Sequence, residues 1–234
     1  MLEKRKQAIS RMFDEIAGIY DLGNHLLSLG QDFFWRKRVA GELALSGLEL
    51  ILDMASGTGD MGVTIAKKNP DAQIFAIDFA MKMLALGSKK IEKKGLSGRI
   101  FFAGADIEEM PFPEQSFDAA TIAFGVRNLE NREKGLEEIF RVLKPGGILA
   151  VLEFSLPDKG WFAGIYRFYL CKVLPRIGRI IGGQSAYFYL RDSILDFPSP
   201  ELFAEELKAS GFLLKKIIPL SGSTVQLYLA EKKN

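Results

Sequence analysis

The sequence has little of the chemistry that metal sites and disulfide frameworks need. Among its 234 residues there is one cysteine, Cys171, and one histidine, His25. A lone cysteine excludes a disulfide framework and a multi-cysteine metal site, and it suits a reducing, cytoplasmic setting. A lone histidine excludes a multi-histidine metal site and leaves little scope for Ser-His hydrolysis. We therefore expect no bound metal.

Long hydrophobic runs and a strong net charge are also missing. The net charge is +2, so no general basic field points to nucleic acid. No charge-free apolar run reaches the roughly 18 residues that would span a membrane. No apolar stretch follows the basic residues of MLEKRKQAIS, so we do not expect a signal peptide. With 48% hydrophobic and 26% charged residues, the composition is that of a globular protein.

Strand-like runs alternate with helix-like runs, which predicts an α/β fold with a mostly parallel sheet. The expected strands are 49–53, 73–78, 100–103, 117–124, 148–154, 213–219 and 224–231. The expected helices between them are 61–68, 80–94, 132–143 and 200–210. No helix fits between the last two strands, so one of them should be antiparallel. The sequence KPGG at 144–147 is typical of a helix end and a turn.

We expect the whole chain, 1–234, to form one domain with two helical additions. Residues 1–47 should form a helical cap, 48–154 a cofactor-binding core, 155–198 a substrate lid, and 199–234 a final helix and strand hairpin. Both additions are rich in aromatic residues. Ligands of open α/β sheets bind at the carboxyl ends of the strands. The additions are therefore expected to cover that edge.

A glycine-rich turn follows the first expected strand, in LDMASGTGDMG (52–62). Gly57, Gly59 and Gly62 match the GxGxxG pattern of dinucleotide-binding proteins. A P-loop is excluded, because Val63 stands where that motif needs a lysine for the phosphates. The turn is therefore expected to approach some other ligand closely through its backbone.

Two carboxylates beside this turn bear on the identity of that ligand. Asp53 ends the strand and Asp60 lies in the first turn of the helix that follows. Both would repel a pyrophosphate at the helix N-terminus, which disfavours a dinucleotide-dependent oxidoreductase. The same carboxylates suit the ammonium and sulfonium groups of S-adenosylmethionine. The alternative for Asp60 is a simple helix-capping role.

Further acidic residues follow the next two strands. Asp78 ends QIFAID, where a carboxylate can accept both hydroxyls of an adenosine ribose. Asp106 follows the third strand and either accepts the adenine amino group or is a solvated turn residue. These residues favour an adenosine-containing cofactor, and NAD and S-adenosylmethionine share that feature.

Six ordered segments carry a more specific signal. They are MFDEIAGIYDLGNHLLSLG (12–30), WRK (35–37), LDMASGTGD (52–60), MPFPEQSFDAATIAFGVRN (110–128), RVLKPGGILAVLEFSLP (141–157) and YFYLRDSILDFP (187–198). In these segments the chain resembles the ubiquinone/menaquinone biosynthesis C-methyltransferases, a family of class I methyltransferases of the demethylmenaquinone methyltransferase type. The resemblance implies a Rossmann-like sheet with helices on both faces, an antiparallel last strand and a helical insertion after the fifth strand.

The resemblance also implies an activity. The expected reaction is S-adenosyl-L-methionine-dependent C-methylation of a polyprenyl quinol ring, either demethylmenaquinol or the equivalent ubiquinone precursor. A methyltransferase for another small or lipidic acceptor is the alternative. The sequence departs from the family at Asp32 and Tyr228, where the family usually has histidine, and at Ala123, where it often has serine.

The resemblance implies that Thr58, Asp78, Asp106, Ile107 and the position of Ala123 line the cofactor. Around the turn and the second strand we add four candidate cofactor contacts, which are Asp53, Gly57, Gly59 and Phe79.

Methylation of an aromatic carbon needs an electron-rich ring, so a phenol proton must be accepted and a phenolate stabilised. The catalytic candidates are Glu153, Arg127, Asn128 and Tyr20. Arg127 can stabilise a phenolate, with a structural salt bridge as the alternative. Three further polar residues lie in the same segments, namely Asp21, His25 and Asp32. His25 is expected to serve packing rather than catalysis.

Residues 159–191 contain six cations and no acidic residue, interleaved with aromatics. Stacking on RNA is conceivable. Peripheral membrane contact is favoured over it, because it suits a lipophilic quinol held in a bilayer. A buried lid or a homodimer face is the remaining alternative.

Overall fold

The structure, a computed structural model, describes residues 2–44, 47–157, 161–176 and 184–233. For residues 2–7, 19–20, 22, 26, 161–162 and 184 it describes the backbone alone. The described residues form a seven-stranded sheet with strands in the order 3-2-1-4-5-7-6. The seventh strand runs antiparallel to both of its neighbours, and the other paired strands are parallel. The expected mixed sheet with an antiparallel last strand is confirmed.

The elements have the following bounds. The strands are β1 (Leu50–Met54), β2 (Gln73–Asp78), β3 (Ile100–Gly104), β4 (Phe117–Ala123), β5 (Leu143–Phe154), β6 (Phe212–Leu220) and β7 (Val225–Lys232). The helices are α1 (Leu2–Leu27), α2 (Gln31–Leu43), α3 (Asp60–Lys68), α4 (Met81–Lys93), α5 (Arg132–Val142), α6 (Trp161–Phe168), α7 (Gln184–Leu195) and α8 (Pro200–Ala209). A 3₁₀ turn spans Val126–Asn128, and a π-helical turn, Tyr169–Val173, continues α6.

The predicted strand and helix ends agree with these bounds to within one residue, except at the start of β5. That strand begins at Leu143 rather than at Ile148. Its pairing with β4 jumps from Phe117–Leu143 to Ala119–Ile148, so KPGG forms an irregularity inside the strand. Gly146 there has φ 75°, a conformation that glycine adopts without steric strain. The predicted end of the preceding helix is confirmed.

Side-chain alternation along the strands divides the core between the two faces of the sheet. Ile51 and Ile74 belong to one buried cluster, which includes side chains of α2 and α3. Leu52 and Ile77 belong to the other, which includes side chains of α5 and α8. Successive residues of a strand point to opposite faces, so every strand except β3 contributes to both clusters. This arrangement covers both faces and leaves the carboxyl edge of the sheet for ligands.

Helices α1, α2, α6 and α7 lie around that edge. Ser10 and Asp14 of α1 bond to the backbone after β2, through the carbonyl of Phe79 (3.4 Å) and the amide of Lys82 (3.0 Å). Near the other end of α1, the hydroxyl of Tyr169 donates to the carbonyl of Leu27 at 3.3 Å. Helix α1 therefore spans from the second strand to the insertion. Among the described helices, none combines the length and hydropathy needed to cross a bilayer.

Candidate active site

The glycine turn after β1 depends on two left-handed residues. Gly57 has φ 54° and Gly59 has φ 81°, a region in which side chains with a Cβ are strained. A Cβ on Gly59 would also lie 2.6 Å from the Phe102 ring. The glycines are thus required by backbone conformation and by the close approach of β3. The turn brings backbone amides to the carboxyl edge, as the sequence predicts.

Asp53 supports this turn from within the protein. The side chain is 1% exposed, and its oxygens accept from the amide of Gly62 at 2.9 Å and the hydroxyl of Thr121 at 3.0 Å. Burial raises the pKa of the Asp53 carboxyl to about 7. Two such bonds leave acceptor capacity on a carboxylate, so the contact of Asp53 with the cofactor stays a prediction.

Asp60 and Thr58 are occupied by partners on other helices. Lys90 of α4 places its ammonium 2.8 Å from Asp60, 2.6 Å from Asp21 and 2.7 Å from the Thr58 hydroxyl. Thr58 in turn donates to Asp21 at 2.6 Å. Lys90 is thus shared between the carboxylates of Asp60 and Asp21, so this cluster keeps a net negative charge, and the attraction of Asp60 for a cationic ligand stays a prediction. No spacing in the sequence marks Lys90 for this role.

Asp78 is placed as the sequence predicts, at the end of β2. One carboxylate oxygen accepts from the amide of Gly57 and the other from the amide of Ala80, both at 2.8 Å. Burial raises the pKa of Asp78. A carboxylate offers about four acceptor positions, so two such bonds leave capacity for a ligand's hydroxyls. Asp78 also borders a cleft, where those hydroxyls would lie.

That cleft is small and is closed by α1. Its volume is about 40 Å³. Its lining includes Gly57, Phe79, Ile107, Ala123 and Asn128, in addition to Asp78 and to Phe13 of α1. Ligand pockets usually reach about 300–1,000 Å³, so the cleft in this conformation is too small for a whole cofactor. Phe13 packs beside Ala17, Ala80 and Met83 and forms the cover.

Asp106 lies just outside the lining of the cleft. Its carboxylate accepts from the amide of Glu108 at 2.9 Å, within a tight turn that pairs Asp106 with Glu109. The next residue, Ile107, lines the cleft and is 4% exposed. The structure thus brings Ile107 to the site and leaves Asp106 beside it.

A much larger cavity, of about 680 Å³, adjoins the cleft. Phe13 and Phe124 line both spaces and form a shared wall. Most of the cavity lining is apolar or aromatic and comes from α1, α2, α6 and α7. Burial raises the pKa of the Tyr166 phenol, so this lining residue stays neutral and can donate a hydrogen bond. The predicted cover over the carboxyl edge therefore encloses an apolar chamber.

Arg127 and Glu153 form a buried ion pair at the edge of the cavity. The guanidinium of Arg127 lies 2.6 Å from a carboxylate oxygen of Glu153 and 2.6 Å from the carbonyl of Phe124. Arg127 lines the cavity, whereas Glu153 is 0% exposed and also accepts from the amide of Phe154 at 2.8 Å. The sequence predicts that Glu153 faces the ligand. In this structure its carboxylate is buried and bonded to Arg127, and direct contact with the ligand stays a prediction.

The remaining catalytic candidates divide between the two spaces. Asn128 borders the cleft and accepts from the hydroxyl of Tyr189, which lines the cavity, at 3.0 Å. Tyr20 lies within α1, but its side chain lies outside the described residues. The turn that carries Arg127 and Asn128 therefore lies between the cleft and the cavity.

A second polar cluster borders the cavity at the junction of α1 and α2. Asp32 is 2% exposed and binds His25 at 2.7 Å, Ser28 at 2.8 Å and Arg36. These bonds lower the pKa of Asp32 against the opposing effect of burial, which is the largest single influence. The His25 ring also stacks on Phe33. His25 thus has a packing role, as expected, while Arg36 and Ser28 were not predicted as site residues.

The chain matches the model of the ubiE/COQ5 methyltransferase family over residues 1–232. A Geobacter sp. (strain M21) protein named ubiquinone/menaquinone biosynthesis C-methyltransferase UbiE is 44% identical over 232 residues, 99% of each chain. A protein of Thermus thermophilus named demethylmenaquinone methyltransferase is 48% identical over 206 residues, which are 87% of this chain and 92% of that one.

Solved structures share the fold at lower identity. A SAM-dependent methyltransferase from Aquifex aeolicus aligns with a TM-score of 0.62 at 20% identity, over 84% of this chain and 88% of that one. The [4+2]-cyclase SpnF aligns with a TM-score of 0.65 at 21% identity, over 84% and 80%. A methyltransferase and a cyclase thus share this architecture, so the fold alone does not specify the reaction.

Proposed function

The chain belongs to the ubiE/COQ5 methyltransferase family, and we propose that it transfers a methyl group from S-adenosylmethionine to a ring carbon of a polyprenyl quinol. The names of the Geobacter and Thermus relatives support a demethylmenaquinol or the equivalent ubiquinone precursor as the acceptor. The observation that carries the proposal is the pair of adjoining spaces, a small cleft at the sheet edge that contains the Asp78 carboxylate and a large apolar cavity.

The residues of the cleft fit an adenosine-containing cofactor. Asp78 retains acceptor capacity toward the cleft, and the amides of the glycine turn are close by. Within the described residues, the buried hydroxyl of Ser56, in that same turn, has no hydrogen-bond partner. Buried polar atoms are usually satisfied, so this one suits a bound polar ligand. We assign the ribose to Asp78 and the surrounding contacts to Gly57, Phe79, Ile107 and Ala123.

S-adenosylmethionine supplies an electrophilic methyl group when bound. The part of this chain is to bring the acceptor carbon to the wall that the cleft and the cavity share. Phe13 and Phe124 form that wall, and rigid aromatic side chains exclude water from it. Positioning of this kind can supply a large part of the rate enhancement.

Arg127 is the group best placed to make the ring nucleophilic. Its guanidinium borders the cavity and is itself almost fully buried, with 6% of the side chain exposed. A cation in so dry a place favours the phenolate form of a quinol hydroxyl, which raises electron density at the ring carbons. Glu153 acts as a positioning residue, because it holds Arg127 through the ion pair. Asn128 and Tyr20 remain candidates for contact with the ring.

The apolar cavity suits the prenyl tail, and the tail implies a membrane source. Residues 159–191 are proposed to contact that membrane. Arg167, Lys172 and Arg176 are exposed, whereas Lys159 and Arg179 lie outside the described residues. The competing occupant of this face is a second copy of the chain.

The proposal is tested by incubating the purified protein with labelled S-adenosylmethionine and a short-tailed demethylmenaquinol. Mass spectrometry should find one added methyl group on the ring carbon, and calorimetry should show cofactor binding but no NAD binding. A methyl group on oxygen, or on a non-quinone lipid alone, would favour the alternative of another small or lipidic acceptor. NAD binding without methyl transfer would overturn the assignment.

A further inference from the structure

The mouth of the cavity carries exposed apolar side chains from two separate helices. Leu29 and Ile165 line the cavity and are also exposed to solvent, at 83% and 53%. Phe34 of α2 is 60% exposed and Phe168 of α6 is 62% exposed. With Phe33 they form what we call the entrance face. The end of α1 and the turn that continues α6 meet beside it, since Tyr169 bonds to the carbonyl of Leu27.

Leu29 lies at the tip of the α1–α2 turn in an unfavourable conformation. Its φ of 51° is in the left-handed region, which a bulky non-glycine residue rarely adopts. A leucine that is both strained and largely exposed contributes little to packing within the monomer. Strain of this kind concentrates where a residue has a role outside the fold.

Cations predominate around the entrance face, although Arg38 is paired with Glu42 at 2.7 Å. Lys37 and Arg38 of α2 are exposed, as are Arg167, Lys172 and Arg176 on the insertion. In residues 28–38 and 161–176 the only acidic residue is Asp32, which is 2% exposed. Apolar side chains flanked by cations are the combination that binds an anionic lipid surface. A protein partner would not require a lipophilic cavity to open at the same place.

We infer that the entrance face inserts into the headgroup region of an anionic membrane, with Leu29 and the two phenylalanines of α2 as an anchor separate from residues 159–191. The mouth of the cavity then opens directly onto lipid, so a prenyl tail passes between the α1–α2 turn and α6 without crossing water. This inference rests on the proposed function for the identity of the tail. The surface itself is defined by exposure and charge.

The test compares the parent with the double variant Phe33→Ser/Phe34→Ser, since both phenylalanines belong to α2 and neither lines the cavity. Cosedimentation is measured with phosphatidylglycerol-containing vesicles and with pure phosphatidylcholine vesicles, at low and high salt. The double variant should partition about tenfold less onto the anionic vesicles, because apolar burial is lost. Leu202→Ser is the matched control, since Leu202 is 62% exposed on α8, outside the entrance face, and its partition should equal the parent's.

Activity and folding are followed in the same proteins. The double variant should methylate a tail-less quinol at the parental rate and a long-tailed quinol in vesicles about tenfold more slowly. Leu29→Asn is a second variant that keeps the fold, because asparagine tolerates positive φ, and it should also weaken vesicle binding. Equal vesicle binding by the parent and both variants would overturn the inference. A parental dimer that the double variant dissociates, with vesicle binding unchanged, would identify the face as a subunit contact instead.

The outcome is distinguishable from failure of the proposed function. If the parent binds vesicles through this face but methylates no quinol, the membrane inference stands and the reaction is wrong. If the tail-less quinol is methylated while vesicles are ignored at low salt, the reaction stands and the membrane inference is wrong.

Discussion

The cofactor cleft and the apolar cavity share a wall, but they are built in different ways. The cleft is formed mainly by residues that follow β1, β2 and β4, and its polar groups are backbone amides, the Asp78 carboxylate and the side-chain amide of Asn128. The cavity is formed mainly by helices from the start of the chain and from the insertion after β5. At a sheet edge, the register of the strands fixes the positions of the groups that bind the ligand. A chamber between helices depends on how distant segments pack, and its few charges must be balanced within the protein.

The largest effect is expected on the cavity side, at Arg127. Arg127→Leu should lower quinol turnover by at least about 10²-fold, the loss typical of removing one donor to a developing oxyanion. Calorimetric affinity for S-adenosylmethionine should change little, because Arg127 borders the cavity rather than the cleft. A large loss of cofactor affinity would show that the two spaces are not functionally separate.

The same substitution leaves Glu153 buried without its cation, which should lower the free energy of unfolding by about 3–5 kcal/mol. Arg127→Leu/Glu153→Gln is the control, because it removes the uncompensated charge. It should recover much of the stability in denaturant titrations while turnover stays low. Parental turnover in this double variant would assign the ion pair to structure alone.

On the cleft side, Asp53 should make stability depend on pH. Its pKa is raised from 3.8 to about 7, so the native state holds the proton more tightly than the unfolded chain. The stabilisation is complete below about pH 4 and is lost as pH rises through 7, by up to roughly 4 kcal/mol. Asp53→Asn can keep bonds to Gly62 and Thr121 and should lack this dependence. If the free energies of unfolding of the parent and of Asp53→Asn change in parallel between pH 4 and 8, Asp53 is not the source of the pH dependence.

Asp78 tests whether the cleft is the cofactor site. Asp78→Ala should weaken S-adenosylmethionine binding by about 1–3 kcal/mol, the range for losing hydrogen bonds to a charged acceptor. Asp78→Asn keeps one acceptor oxygen, so its affinity for S-adenosylmethionine should lie between that of Asp78→Ala and that of the parent. Calorimetry measures all three. Identical affinities of the three proteins for S-adenosylmethionine would overturn the assignment of the ribose to Asp78. The cleft would then no longer be distinguished from the cavity as the cofactor site.

The smallest effect is expected at Lys90, which ties α1 to the glycine turn. Its contacts with Asp21 and Asp60 are partly exposed, at 21–31% of each side chain, so Lys90→Met should change stability by less than about 1 kcal/mol. The cofactor should nonetheless dissociate faster, because the cover opens more readily. Stopped-flow release and hydrogen exchange in α1 measure this. Unchanged release would mean that α1 is held by its other contacts.

The cleft was largely predictable from the sequence because its signals are local. A glycine pattern directly after a strand and a carboxylate ending the next strand locate Gly57 and Asp78 without any knowledge of packing. The same reasoning did not locate the buried partners of Asp53 and Glu153. An acidic residue at the end of a strand gives the same sequence pattern whether its carboxylate faces a ligand or a buried group of the protein. Only the positions of Thr121 and Arg127 decide between these cases.

The cavity was predicted only as a covered edge. Its helices were expected, and so was the role of α1 and the insertion as additions. The contacts that shape it join residues far apart in the chain, such as Asp21 with Lys90 and Leu27 with Tyr169. No periodicity in a single sequence encodes such pairings. The tight junction of His25, Asp32 and Arg36 was missed as a unit for the same reason, although two of its members were named.

The wall formed by Phe13 and Phe124 has a consequence for ligand binding. Because both rings contact both spaces, a ligand that shifts them from one side alters the shape of the other side. The backbone of Phe124 lies in the left-handed region, with φ 59°, which is a strained conformation for a residue other than glycine. The affinities of donor and acceptor should therefore be coupled, and thermodynamic linkage makes that coupling reciprocal. Calorimetry should find that bound S-adenosylmethionine changes the affinity for the quinol by the same factor as bound quinol changes the affinity for S-adenosylmethionine.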